Sequence, residues 1–276
     1  MIKIGSCTVL YNPDIHVINN LETYVRNVDI SVIVDNSDDK NVVVQNLKND
    51  KRFIYIDMNG NKGIAAALNR GIEYLYNQGI EFALTMDQDS QFPSQFYQNI
   101  VRIVDRNKQT YSVIGLNFNH KVDTSNANVI EAHYWLTSGN FVNIADFINV
   151  GKFNENLFID YVDIEYGYKL YRHNLRLCYL EGYSLRHKIG NPIEIHLFNK
   201  KFYAMNHSPI RYYYRYRNSF YLYKMDKKFF RREYWRELFI NIPKMIFFEH
   251  DRKNKFKMIC KGIRDAKKGK LGVYNG

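Results

Sequence analysis

From Ile2 to Pro93 the chain alternates apolar runs of strand length with segments whose apolar residues recur at helical spacing. This alternation constrains the fold more than any other feature. Ile2–Leu10, Ser31–Asp35, Phe53–Ile56 and Phe82–Met86 read as strands. Between them, Ile15, Ile18, Leu21 and Val25 behind an Asp14 N-cap, Val42–Leu47, and Ile64–Leu75 read as helices. Such alternation builds an α/β fold, a mainly parallel, doubly wound sheet flanked by helices. In such sheets ligands bind outside the carboxyl ends of the strands. Tyr11, Asp35, Asn59–Gly63 and Asp87 all fall at those ends.

The fourth run, Phe82-Ala-Leu-Thr-Met-Asp87-Gln-Asp89-Ser90, stops abruptly in two carboxylates with one residue between them. Residues two apart on a strand share a face, so both can aim at one point. That arrangement suits a hard divalent cation, Mg²⁺ or Mn²⁺, which takes carboxylates together with substrate phosphates. The plainer reading is turn chemistry, because Asp and Ser are favoured in turns.

Beyond residue 110 the pattern is less regular. Ser112–Phe118 reads as a strand, Lys121–Asn128 as a loop, and Ala132–Leu136 as a strand before Thr137-Ser-Gly-Asn140. Phe141–Ile144 reads as a pairing segment, Ala145–Val150 as a short helix, Asp160–Arg172 as a helix and Arg176–Leu180 as a strand. Past Pro209 the chain becomes basic, aromatic and helical in pattern.

Composition narrows the partners. Of 276 residues, 46% are apolar and 24% charged, which predicts a packed core. The net charge of +11 favours anionic partners: nucleic acid, anionic lipid or phosphorylated substrates. Cys7, Cys178 and Cys260 are scattered without a Cys-x-x-Cys pair, which fits a reducing compartment and argues against structural zinc. No signal-peptide pattern stands at Met1, and no run of roughly 18 apolar residues predicts a membrane span. The expected location is cytoplasmic.

Several segments in consistent order carry a family resemblance. They are Thr8-Val-Leu-Tyr-Asn-Pro13, Val34-Asp-Asn-Ser37, Asn59-Gly-Asn-Lys-Gly-Ile-Ala-Ala-Ala-Leu-Asn-Arg-Gly71, Met86-Asp-Gln-Asp-Ser90, Leu136-Thr-Ser-Gly139, Val150 through Glu165, and Arg186-His-Lys-Ile-Gly190. Over roughly residues 2–220 the chain resembles a family 2 glycosyltransferase of the GT-A fold, most similar to its bacterial L-rhamnosyltransferase branch. The resemblance implies one glycosyltransferase domain over 1–220, with a nucleotide-sugar half to about 118 and an acceptor and catalytic half over 119–220. A C-terminal helical segment, 221–276, follows.

It further implies that Thr8, Tyr11 and Asp35 hold the base and ribose of a nucleotide-sugar donor, with Lys62, Gly63 and Asp87 beside it. The plain alternative for Asp35 is a turn residue, and for Lys62-Gly63 a helix-opening turn. Asp87, Asp89 and His187 are the implied metal ligands, for Mn²⁺ or Mg²⁺. Asp163 is the implied catalytic base; where the family shows Glu-Asp this chain has Val162-Asp163, which keeps Asp160 and Glu165 as alternatives. If the segment is helical, Asp160 and Asp163 share a face. Trp135, Ser138, Gly139 and Asp160 are implied to line the acceptor or sugar pocket. Arg211 and Arg217, within His207–Asn218, are implied to engage phosphate or acceptor, the bland alternative being a basic helix face with tyrosines packed inward.

The implied reaction is metal-dependent, inverting transfer of L-rhamnose from dTDP-L-rhamnose to a glycan or lipid-linked saccharide in bacterial surface polysaccharide synthesis. A UDP-hexose or UDP-galactofuranose donor is the alternative on the same fold. The readings from other classes are a basic nucleic-acid-binding protein, which leaves Asp87, Asp89 and Asp163 unexplained, and a membrane-associated scaffold, which predicts lipid binding that survives loss of those aspartates. In Lys227–Phe248 the apolar residues at 230, 234, 238, 242 and 245 form one stripe behind clustered Lys and Arg. That pattern predicts a peripheral helix in the interface of the inner membrane's cytoplasmic face, the competing reading being a core stripe.

Overall fold

The computed structural model describes residues 2–276 except 119, 121, 125, 126, 188–191, 198 and 199; residues 197 and 200 are described by backbone alone. The chain divides into two compact units, Met1–Glu155 with Asp163–Lys188, and Asn156–Val162 with Ile189–Gly276. Helix α7, Pro209–Met225, runs through residue 220, so the expected boundary there falls inside a helix.

The first unit is built on a nine-stranded sheet. Strands β1 (Ile4–Leu10), β2 (Ile30–Asp35), β3 (Phe53–Asp57) and β4 (Phe82–Asp87) are parallel, in the order β3-β2-β1-β4. The two-residue β5 (Ser90–Gln91) lies on the sheet's far edge. Next come β6 (Val113–Phe118), β7 (Val129–Ala132), β8 (Asn140–Asn143) and β9 (Leu177–His187). Strand β8 runs antiparallel between β4 and β6, and β9 is parallel to β6. The fold is therefore α/β with a mainly parallel sheet, as the alternation predicts.

All seven residues of β1 are buried, the mark of a strand covered on both faces. Register places the strand ends together: Leu10 pairs with Asp35, Asp35 with Asp57, and Val9 with Asp87. The helices are α1 (His16–Glu22), α2 (Val42–Asn49), α3 (Ile64–Asn77), α4 (Tyr97–Asn107), α5 (Ile144–Asn149) and α6 (Val162–Arg172). Helix α3 lies tight on the sheet, with Ala65 and Ala67 buried and Gly71 so close that a Cβ would stand 2.3 Å from Cys7 Sγ. Helix α1 caps at Ile15 rather than Asp14, although Asp14 Oδ1 accepts from His16 N at 2.9 Å.

Two expectations from the sequence are corrected. The strand read at Ala132–Leu136 lies earlier, at Val129–Ala132, paired antiparallel with β9. Past Ala132 the chain leaves the sheet. There Trp135 stacks on Tyr179 with ring centroids 4.0 Å apart and donates to Leu116 O at 2.7 Å, and Gly167 of α6 lies against the His133 carbonyl. The helix read from Asp160 starts at Val162, because Phe158, Asp160 and Tyr161 have φ of 66, 60 and 68°, left-handed values that stop an α-helix. Asp160 and Asp163 therefore do not share a helix face. The loop read at 121–128 and the motif residues Lys188-Ile-Gly190 fall partly or wholly outside the described residues.

The second unit pairs β10 (Ile193–Leu197) with β11 (Lys200–Ala204) and carries α7, α8 (Arg231–Arg236), a π-helical turn over Glu237–Asn241, α9 (Ile242–Phe248) and α10 (Arg252–Lys267). Helices α7 and α10 pack with Gly262 at the contact, where a Cβ would meet Tyr213 O at 2.4 Å. The stripe at 230, 234, 238, 242 and 245 turns inward here. Phe230 and Met245 are buried, and Leu238 and Ile242 pack against Tyr212, Tyr216, Met245 and Ile259. It is core, not membrane surface. Among the described residues no helix is long and apolar enough to cross a membrane.

Candidate active site

At the carboxyl end of β4 the chain turns through Asp87-Gln88-Asp89 and returns as β5, whose Ser90 pairs antiparallel with His187 of β9. That pairing brings one ligand atom each of Asp87, Asp89 and His187 within 4.8 Å of one another. His187 Nδ1 lies 3.3 Å from Asp89 Oδ1 and 2.9 Å from Ser90 Oγ, and its ring meets Phe118 edge-on at 5.9 Å. Two carboxylate oxygens and an imidazole nitrogen suit a divalent cation such as Mn²⁺, which accepts both donor types.

The cluster is braced from behind. Ser138, buried at the turn before β8, accepts from Asp87 N at 3.0 Å and donates to Ser90 Oγ at 2.9 Å. Gly139 donates to Thr85 O at 2.6 Å with φ 74°, and a Cβ there would stand 2.3 Å from Leu185. Ser138 and Gly139 thus face the Asp87 turn. Gln88, the residue between the aspartates, ties the ends of β1 and β4 together. It accepts from Tyr11 N at 2.8 Å and donates to Tyr11 O at 3.1 Å, while its carbonyl accepts from Asn20 at 2.8 Å. A cleft of about 550 Å³ opens here, lined by Asn12, Asn20, Asp89, Gln91, Arg186 and His187 among others.

Asp163 occupies the first turn of α6. It shares the wall of a small cavity with Trp135 and Thr137, so the Thr137-Ser138 turn joins it to the Asp87 cluster. Glu165, two residues on, is buried against Lys169 at 3.4 Å, and burial pushes its carboxyl above the usual range despite that cation. Asp160 sits in the second unit, held by both oxygens to Arg211 Nε and Nη2 at 3.2 Å. Arg217 is fully buried there, donating to the carbonyls of Asn156 and Leu157 at 3.0 Å and lying over the Tyr214 ring. Both arginines expected at phosphate or acceptor therefore have protein partners.

At the ends of β1 and β2, Asp35 is fully buried. It accepts from Lys40 Nζ at 2.6 Å, Tyr55 Oη at 2.5 Å and Ser37 N at 3.0 Å. Burial alone would raise this carboxyl, but the hydrogen bonds from Lys40, Tyr55 and Ser37 outweigh it and hold Asp35 below the ordinary range. Thr8 is also buried, its hydroxyl 2.7 Å from Tyr24 Oη. Tyr11 is exposed, its hydroxyl donating to Asp38 at 3.3 Å. Lys62 is exposed and its N–H donates to Asn36 at 2.7 Å, while Gly63, with φ 87°, opens α3. Sequence reasoning missed Lys40, Tyr55 and Gln88. Only the position of Gln88 inside the Asp-x-Asp offered a signal.

The family model of Glycosyl transferase family 2 matches residues 15–156, just over half of the chain. The chain is 27% identical to the dTDP-rhamnosyl transferase RfbF of Shigella flexneri, an alignment covering 99% of this chain and 97% of that protein. Among solved structures, residues 1–349 of S. aureus TarS superpose with a TM-score of 0.61 at 14% identity, over 96% of this chain and 81% of that one. The same TarS fragment in complex with UDP-GlcNAc gives 0.61 at 15% identity with the same coverage. These likenesses agree with the GT-A fold.

Proposed function

For this chain, which belongs to glycosyltransferase family 2, we propose inverting transfer of L-rhamnose from dTDP-L-rhamnose to a lipid-linked saccharide acceptor of bacterial surface polysaccharide synthesis. The observation that carries the reading is the Asp87, Asp89 and His187 cluster at a strand end, joined through Thr137-Ser138 to Asp163. The likeness to a dTDP-rhamnosyl transferase over nearly the whole chain supports the donor.

Asp163 acts as general base. It takes the proton of the acceptor hydroxyl as that oxygen bonds to the anomeric carbon, and the bond from that carbon to the nucleoside diphosphate breaks on the opposite face. A β-L donor then gives an α-L product. Asp87, Asp89 and His187 would hold the divalent cation, Mn²⁺ or Mg²⁺, whose charge offsets that of the leaving diphosphate. Ser138 fixes the Asp87 backbone and Ser90 orients His187, so both ligands are set before donor arrives. Asp163 is favoured over Asp160 and Glu165 because it lines the cavity shared with Trp135 and Thr137. Tyr11, Asp38, Lys62 and Asn12 offer the exposed groups beside the strand ends for base and ribose, and Asp35 shapes the floor beneath them through Lys40.

A second reading, a UDP-sugar donor on the same machinery, is supported by the UDP-GlcNAc complex of the TarS fragment. One experiment separates the two: thermal unfolding against dTDP, UDP and GDP, each with and without Mn²⁺. A rise needing metal and largest with dTDP is expected, since a ligand stabilises the state that binds it. A larger rise with UDP would replace the donor, and no rise with any nucleotide would remove the reaction.

A further inference from the structure

In the second unit the acids and the bases of one segment part company. Between Arg231 and Phe248 the carboxylates Glu233 and Glu237 point inward and are buried, with Glu237 bonded to Arg215 at 2.7 and 2.9 Å. Glu249, just beyond, is buried against Lys255 at 2.8 Å. Arg231, Arg232 and Arg236 are exposed. The segment's carboxylates are thus held inside, and the charged residues on its outer side are cations.

Large apolar side chains share that outer side. Phe239 is 69% and Phe247 70% exposed, and Trp235 and Ile246 are each 39% exposed. Each aromatic follows a buried residue by two positions: Trp235 follows Glu233, Phe239 follows Glu237, and Phe247 follows Met245. Two residues turn a helix by about 200°, so this row lies opposite the buried one. Trp235 and Phe239 stack with centroids 5.2 Å apart, which keeps their rings together on the surface. On α9, Lys244 Nζ stands 5.8 Å over the Phe202 ring of β11, carrying the same chemistry onto the hairpin.

We propose that the outer face of α8, the π-helical turn and α9 docks on an anionic lipid bilayer. Trp235, Phe239 and Phe247 enter the headgroup boundary while Arg231, Arg232 and Arg236 meet lipid phosphates. Exposed tryptophan and phenylalanine interleaved with cations are what an interfacial helix needs, and charge complementarity picks anionic lipid over a neutral surface. The face differs from the stripe legible in the sequence, which is core. Docking would hold the enzyme where a lipid-carried acceptor lies, and to that extent the proposal extends the function above.

The test is co-sedimentation of the full chain with vesicles of phosphatidylcholine, or of phosphatidylcholine mixed with phosphatidylglycerol. Binding to the mixed vesicles, weakened by salt, is expected. The double variant Phe239→Ser, Phe247→Ser should bind at least about tenfold more weakly, and Arg231→Gln, Arg232→Gln, Arg236→Gln should lose most of the preference for anionic lipid. Unaltered thermal unfolding of both variants verifies that they fold. No sedimentation with mixed vesicles, or equal binding by the phenylalanine variant, overturns the proposal. So does self-association in solution that the same variant abolishes while vesicle binding is absent. The vesicle readout uses no nucleotide, so its failure and the failure of the glycosyl-transfer reading are separate results.

Discussion

Asp163 stands in the first turn of an eleven-residue helix, where the helix dipole favours a carboxylate. The nearly isosteric change Asp163→Asn tests it as the base. Transfer should fall by at least about 10²-fold, the size of a lost general base, while the nucleotide-dependent rise in unfolding temperature is kept. Unchanged transfer would move the proton to another group. Asp35 makes a different residue-scale case. Its folded carboxyl titrates below the ordinary value of 3.8, so its stabilising contribution is full above that value and is lost as pH falls through the lower folded one. Lys40→Met should leave a buried carboxylate short of its cation and cost about 2–3 kcal/mol near neutral pH. The gap between variant and wild type should close in acid, as measured by unfolding at a series of pH values. A gap that widens in acid would contradict the assignment.

At the scale of elements, the parallel half of the sheet was legible because its strands are runs of strand length and three of them, β2, β3 and β4, end in an aspartate. Register then did the rest, since Leu10, Asp35 and Asp57 pair across the strand ends. What sequence could not give was anything decided by a distant partner. Trp135 pulls its segment out of the sheet by stacking on Tyr179, a residue with no local signal. The segment with the left-handed residues Phe158, Asp160 and Tyr161 is held by Asn218 Nδ2, which donates to the carbonyls of Leu157, Ile159 and Asp160 at 2.8–2.9 Å. The stripe of Phe230 to Met245 was visible, but only packing against Tyr212 and Tyr216 settles which side is inside. The turn before β8 links these elements to the site. Gly139→Ala there combines a φ of 74° with a Cβ 2.3 Å from Leu185. It should cost about 1–3 kcal/mol and weaken the Mn²⁺-dependent thermal shift by displacing Ser138 from Asp87. A variant with wild-type stability and wild-type metal response would show that this turn is not the brace.

At the scale of the molecule, the chain leaves the first unit after Glu155 and rejoins it at Asp163, the residue assigned as base. The seven residues between belong to the second unit, where Arg217 and Asn218 hold them by their backbone carbonyls, and where Asn156 O also accepts from Gly272 N at 2.7 Å. The site was thus only half written in the motifs. The candidate metal cluster is local to β4 and its pairing with β9, whereas the segment that precedes Asp163 in the chain is held by two side chains of α7. This separation predicts a split phenotype for Asn218→Ala. Loss of the Asn218 amide from its three carbonyl acceptors should lower stability by about 2–4 kcal/mol. Below its unfolding temperature, the variant should transfer sugar roughly tenfold to a hundredfold more slowly, because small misplacement of a catalytic group is costly. Nucleotide and metal should raise its unfolding temperature as much as that of the wild type, because the residues proposed to hold them lie in the first unit. Equal losses of transfer and nucleotide response would mean that Asn218 acts on the fold as a whole, and wild-type transfer would mean that the segment before Asp163 does not position it.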